Sequence, residues 1–128
     1  MNIDLRAASS FMATHGRLLD RRRLQVLLGE ADPLDAFAAL DAYRNSDGGY
    51  GCGLEPDLRA AESQPAAAMH APEVFAENAV VTPRGVELCD WLAAHTLADG
   101  GLPFALPVGD PWRCSSAGTI PPSPATPG

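Results

Sequence analysis

An Asp-Gly-Gly triplet occurs twice, as Asp47-Gly48-Gly49 and Asp99-Gly100-Gly101, 52 residues apart. Such a triplet breaks a helix, because the Asp side chain hydrogen-bonds its own backbone and glycine enters positive φ without steric cost. Each triplet follows a run of alanines, leucines and an aromatic: Leu34 to Arg44 before the first, Val86 to His95 before the second. A break repeated after matching runs predicts a repeated helical unit.

Composition sets what such units can build. The 128 residues suffice for one ordinary domain, and 46% of them are apolar, yet aromatics supply only 6%. Alanine carries much of the remainder, which favours closely packed helices around a thin core. A net charge of −7 excludes a general binder of nucleic acid or of anionic membrane surfaces. Cys52, Cys89 and Cys114 are odd in number and far apart, with no CxxC pair, so a disulfide framework is not expected and a reducing cytoplasm fits. The stretch Met1–Arg6 lacks a signal-peptide apolar region, and no apolar run approaches the roughly 20 residues of a membrane span. The expectation is a soluble cytoplasmic protein.

Apolar periodicity and punctuation place the helices. From Asp4 to about Gly29 the pattern is helical, with Leu5, Ala8, Phe11 and Met12 on one face, Gly16 as a divider, and Leu18, Leu19, Leu24, Leu27 and Leu28 beyond it. Gly29 suits a C-terminal cap, Asp32 an N-cap and Pro33 a first helical position. The following helix runs to about Arg44 with an inner stripe of Leu34, Phe37, Ala38, Leu40 and Tyr43. Ser63-Gln64-Pro65 opens another helix that Pro72 should interrupt or kink. Thr82-Pro83 starts a last one, carrying Val86, Leu88, Cys89, Trp91, Leu92 and His95.

Between these helices lies Ser46 to Asp57, with four glycines, one proline, Tyr50, Leu54 and three carboxylates. No regular element accommodates that composition, and a loop of this kind is expected to fit tightly against something. Beyond about Phe104 prolines, serines and threonines dominate. Residues 1–107 therefore read as a helical-repeat domain, and 108–128 as a disordered Pro-rich tail.

The corner Arg44-Asn45-Ser46-Asp47-Gly48-Gly49-Tyr50-Gly51, echoed more loosely by Asp99-Gly100-Gly101-Leu102, resembles the turns of the α/α-toroid superfamily of terpenoid cyclases and protein prenyltransferase β-subunits. Gly53-Leu54-Glu55-Pro56-Asp57-Leu58-Arg59, Ser63-Gln64-Pro65 and Gly101 to Pro107 are similar to a bacterial group of uncharacterised prenyltransferase-like proteins. The likeness covers roughly residues 15–107 and implies an all-α fold of α/α-toroid-like hairpins in an incomplete ring. Toroids close with many hairpins, and this chain has length for about two, so one end of the stack is expected to lie uncovered. The change of character near Pro111-Trp112 reads as a truncated or frame-shifted product of a longer gene.

The resemblance also implies chemistry. Glu55 and Asp57 stand as candidate catalytic acids, since a carboxyl desolvated in an apolar cavity is raised in pKa and can protonate an alkene. Tyr50, Arg59, Trp91 and Phe104 stand as candidate substrate-binding residues for an isoprenoid. The alternative for the carboxylates is to cap the following helix or pair with Arg59, and for the aromatics to be packing elements. The D-x-D-D and D-D-x-x-D motifs of the cyclases are absent, so no magnesium site is expected, and Cys52, Asp57 and His70 lack zinc spacing. Neither metal nor cofactor is expected. His15 and His95 suit helix C-terminal carbonyls. Arg21-Arg22-Arg23 reads as a helix face making ion pairs in preference to a phosphate clamp.

Three functions follow: a prenyltransferase- or cyclase-like protein acting on an isoprenoid, a non-catalytic helical-repeat module, or an inactive truncated product. Self-association through the uncapped end is the expected protein contact.

Overall fold

Helix starts follow capping chemistry. In the computed structural model, which describes residues 2–79 and 81–109, Asp4 accepts the N–H of Ala7 and opens α1, Leu5–His15. Gly16 divides the run as expected: a Cβ there would lie 2.8 Å from the Met12 carbonyl oxygen. Helix α2 then spans Leu18–Leu27. Asp32 and Asp35 form a reciprocal capping box at the start of α3, Pro33–Asp41, with Pro33 in its first turn. Helix α4 is Pro65–Ala68 and α5 is Ala71–Asn78, so Pro72 marks the start of a new helix after a short one. Helix α6, Pro83–Ala94, starts at Thr82 as expected, although the Thr82 hydroxyl makes no capping bond. The fold is all-α: the described residues hold six helices and one isolated bridge, Arg44 to Tyr50.

The two corners are copies in backbone detail. In the first, Asn45 N–H donates to Gly49 O at 3.0 Å and Gly48 N–H to Asn45 O at 3.2 Å. In the second, Leu97 N–H donates to Gly101 O at 2.8 Å and Gly100 N–H to Leu97 O at 2.9 Å. Gly48 and Gly100 take φ of +91° and +85°, a region glycine enters freely. In each corner the Asp Oδ1 accepts the N–H two residues on, at 2.9 Å. Matching helices precede them, α3 and α6. After the first corner, however, the chain runs irregularly from Asn45 to Gln64 before α4, so the corner does not lead directly into a helix.

That irregular stretch is held on both sides. Cys52 N–H donates to Ala60 O at 2.7 Å and Gln64 N–H to Tyr50 O at 2.8 Å. From the other side Ala66 N–H donates to Phe104 O, Leu106 N–H to Gln64 Oε1 and Gly109 N–H to Glu62 Oε1. The chain thus stays fastened past the expected domain edge at residue 107. The expected disordered tail falls, from residue 110 onward, outside the described residues.

The core is small and rich in alanine, as composition dictates. Leu19, Phe37, Leu40, Tyr50, Leu54, Val74, Leu88 and Trp91 form it with Ala36, Ala39, Ala67, Ala68 and Ala71. Several expected inner positions are outside it. On α3 the buried residues are Ala36, Phe37, Ala39 and Leu40, while Leu34 is 68% exposed. The reason is geometric: α3 is pressed between α2 and α5, which selects the face carrying Phe37 and Leu40 over the one carrying Leu34 and Ala38. Helix α1 buries none of its residues, and its expected core face instead leaves Leu5 and Phe11 exposed.

Four ion pairs tie α2, α3 and the residues just after α3 to α5 and α6. Arg23 on α2 reaches Glu77 and Glu73 on α5, Arg84 on α6 meets Asp41 on α3 at 2.6 Å, and Arg44 pairs with Glu87. Of the arginine triplet only Arg23 makes ion pairs, and its partners lie on another helix; Arg21 donates to Ala13 O and Arg22 to Gln25 Oε1. Asp20 pairs instead with Arg17.

Candidate functional site

The glycine-rich loop is shaped by close approach to its neighbours. A Cβ on Gly49 would stand 2.6 Å from both Ser63 Cβ and Trp91 Cε2, and one on Gly51 would run into the carbonyls of Glu62 and Ala61. Two polar groups hold the loop. Asp47 Oδ1 accepts from Gly49 N and from the Ser63 hydroxyl at 2.7 Å, while Oδ2 accepts the Trp91 indole N–H at 2.9 Å. Asn45 Nδ2 donates to Ala61 O and Ser63 Oγ, both at 3.0 Å. From the start of α2, Arg17 Nη1 donates to the carbonyls of Gly53 and Leu54. The expected tight fit is present in full.

Glu55 has a partner that its sequence neighbourhood does not announce. Its Oε2 lies 2.8 Å from His70 Nε2, at the start of α5, and its Oε1 accepts the Asp57 N–H at 3.1 Å. The side chain is 16% exposed. The His70 hydrogen bond first, then the Asp57 N–H, hold the carboxyl below its usual range, outweighing the opposing effect of desolvation. This direction is the reverse of what a proton donor to an alkene needs. Glu55 neither caps the following helix nor pairs with Arg59; its partner is His70, while Arg59 is exposed and no ion pair joins it to Glu55 or Asp57. Asp57 is exposed.

The aromatic candidates separate. Tyr50 is fully buried, which pushes the phenol up to about 12, and its hydroxyl has no hydrogen-bond partner among the described residues. Trp91 is 5% exposed, bound to Asp47, and stacked on His95 at 4.0 Å between ring centroids. Phe104 is 65% exposed. These three do not line one pocket. Both histidines at helix ends meet carbonyls of the last turn, His95 Nδ1 at 2.7 Å from Trp91 O and His15 Nδ1 at 3.3 Å from Phe11 O. Among the described residues no three His, Cys, Asp or Glu side chains converge on a possible metal position.

The apolar opening of the molecule lies elsewhere. Between α5 and α6 a groove of about 380 Å³ is lined by Pro72, Phe75, Val86, Leu88, Cys89 and Leu92, with Val81 and Thr82 at one end. None of the six residues singled out by sequence belongs to it. Its signal was nevertheless present, in the 52-residue repeat: Val86, Cys89 and Leu92 on α6 stand where Leu34, Phe37 and Leu40 stand on α3. On α3, Phe37 and Leu40 are buried, and Phe37 meets Phe75 of α5 at 5.8 Å between ring centroids. On α6 the equivalent Cys89 is exposed and Leu92 only half-buried.

Comparison with family models, with curated proteins and with solved structures gave no match to this chain. No helix among the described residues is long and apolar enough to cross a membrane.

Proposed function

We propose that this chain is a non-catalytic helical-repeat module of the α/α-toroid kind, and that its α5/α6 face receives a helix from a protein partner. The observation that carries this reading is the repeat itself. The face of α3 is covered by α5, with Phe75 against Phe37, whereas among the described residues the equivalent face of α6 is open. An amphipathic helix laid in a groove is a common way for such a face to be buried. The state of Glu55 also supports it: a carboxyl held ionised by His70 is a poor general acid. The exposed thiol of Cys89 suits the reducing cytoplasm.

A second reading, an isoprenoid-binding or isoprenoid-processing protein, is favoured by the groove's lining, which is almost wholly carbon. In that reading Asp57 is the remaining acid and the groove holds the chain of a prenyl diphosphate. One experiment separates the two. The full chain is incubated with farnesyl diphosphate and with a polyprenol, and products are followed by mass spectrometry. The module gives no product. Turnover that Asp57→Asn abolishes would overturn the module and establish the enzyme.

A further inference from the structure

We propose that Asp99-Gly100 is a site of spontaneous covalent modification, converting to isoaspartate through a succinimide, and that the fold shields the same pair at Asp47-Gly48. The proposal goes beyond the docking reading and does not depend on what the α5/α6 face receives.

The chemistry needs only the chain and water. The backbone nitrogen of the residue after an aspartate attacks the side-chain Cγ, and the new N–C bond closes a five-membered imide. The amide hydrogen and the hydroxyl of the protonated carboxyl leave together as one water molecule. Water then adds to either imide carbonyl. Opening at one restores aspartate, and opening at the other leaves the main chain running through Cβ and Cγ. Glycine favours the attack, because it has no Cβ to crowd the nitrogen and its backbone turns most freely.

The two corners differ only in part. Their attacking nitrogens are held alike, Gly48 N–H by Asn45 O and Gly100 N–H by Leu97 O. The turn bond matches too, from Gly49 N–H to Asp47 and from Gly101 N–H to Asp99. Both aspartates are exposed, so access of water does not separate them. The remaining contacts do. Asp47 also accepts the Ser63 hydroxyl at 2.7 Å and the Trp91 indole N–H at 2.9 Å, and these hold its carboxylate against rotation toward the Gly48 nitrogen. Gly48 is buried, and a Cβ on it would lie 3.1 Å from Glu87 O on α6. Gly100 is exposed, and nothing among the described residues lies within 4 Å of the same position. Leu97, Ala98, Asp99, Gly100 and Gly101 are all exposed, so the second corner opens locally without disturbing the core. Conversion there lengthens the main chain by one carbon inside the turn closed by Leu97 N–H and Gly101 O, shortly before Phe104 and Leu106 fasten the segment to Ala66 and Gln64.

The test is incubation of the full chain for weeks at neutral pH and physiological temperature, folded and in parallel unfolded in urea. Trypsin cuts after arginine and releases the two corners on separate peptides, Asn45–Arg59 and Gly85–Arg113. Electron-transfer fragmentation then locates isoaspartate in each. In the folded protein it is expected to accumulate at least about tenfold faster at Asp99 than at Asp47, a difference of about 1.4 kcal/mol in barrier. In urea the two rates are expected to converge. Asp99→Glu, whose ring would need six members, is expected to lose the Gly85–Arg113 signal. Equal rates in the folded protein overturn the proposal, as does a folded chain in which neither corner converts while the unfolded one does. A preference for Asp99 that survives in urea also overturns it, because the flanking residues and not the fold would then set the rate. A signal that persists in Asp99→Glu comes from Asp90 or Asp110 and overturns the assignment of the site.

Discussion

The indole N–H of Trp91 donates to Asp47 Oδ2 across 2.9 Å, joining α6 to the corner that follows α3. The same carboxylate accepts the Gly49 N–H and the Ser63 hydroxyl through its other oxygen. One side chain therefore shapes a turn, fastens the segment that runs back beside it, and ties α6 to the corner after α3. Asp99 has only the first of these duties, through the Gly101 N–H. Identical triplets have unequal roles because only the first corner is covered.

Replacing the two aspartates should expose that inequality. Asp47→Ala leaves three donors without their acceptor, all on the buried residues Gly49, Ser63 and Trp91, and is expected to cost about 1–3 kcal/mol. Asp99→Ala removes one exposed turn bond and is expected to cost about 0.5–1 kcal/mol. Urea unfolding of both variants measures the difference. Equal losses would refute a bridging role for Asp47.

The glycines divide in the same way. Gly49→Ala and Gly51→Ala put a methyl group against Trp91 and Ser63, or against the carbonyls of Glu62 and Ala61, and nothing there can yield without moving the backbone. Each is expected to destabilise by several kcal/mol, at the upper end for overpacking, about 3. Gly85 sits inside α6 with open space around its Cβ direction, so Gly85→Ala is expected to stabilise by about 0.5–1 kcal/mol. Thermal unfolding midpoints should move in opposite directions.

What could be read from the chain, and what could not, follows from the range of each interaction. Caps are local, so Asp32-Pro33, Gly29 and the break at Gly16 were legible, as was the tightness of the glycine loop. Burial is not local. The stripe containing Leu34 and Ala38 has helical spacing but faces away from α5, and the stripe containing Leu5 and Phe11 is left exposed among the described residues. Periodicity reports that a face is apolar, not that something covers it. The partner of Glu55 was hidden for the same reason: His70 lies 15 residues away and arrives only through the return of the chain, whereas Arg59 is near in sequence and unused. The open groove was encoded, but as a comparison between repeats and not as a motif.

The Glu55–His70 contact gives the acid side of the stability profile. The folded carboxyl titrates below its ordinary range, with the His70 hydrogen bond as the largest cause. A depressed carboxyl stabilises the fold at pH above its unfolded value, about 4.3, and that contribution is lost as pH falls through the lower folded value. Glu77, held down chiefly by Arg23, adds a second contribution with the same sign. Glu55→Gln and Glu77→Gln should each flatten the fall in stability between roughly neutral pH and pH 3. Denaturant midpoints across that range test this, and a Glu55→Gln profile parallel to wild type would rule out the contact as a source of acid sensitivity.

Tyr50 governs the opposite limb. Its ring fills the core while its hydroxyl has no partner among the described residues, and burial raises the phenol to about 12. A raised pKa means that the stabilisation is complete below the unfolded value, about 10, and is lost as pH rises toward the folded one. Tyr50→Phe keeps the ring and removes a buried group that has nothing to bond, so at neutral pH it should be neutral or stabilising by up to about 1 kcal/mol. Between pH 10 and pH 12 the variant should lose less stability than wild type, because unfolding no longer releases this proton. Denaturation curves at neutral and alkaline pH measure both effects. A Tyr50→Phe variant destabilised at neutral pH would instead show that the hydroxyl is bonded, and that the phenol does work in the core that its carbon atoms do not.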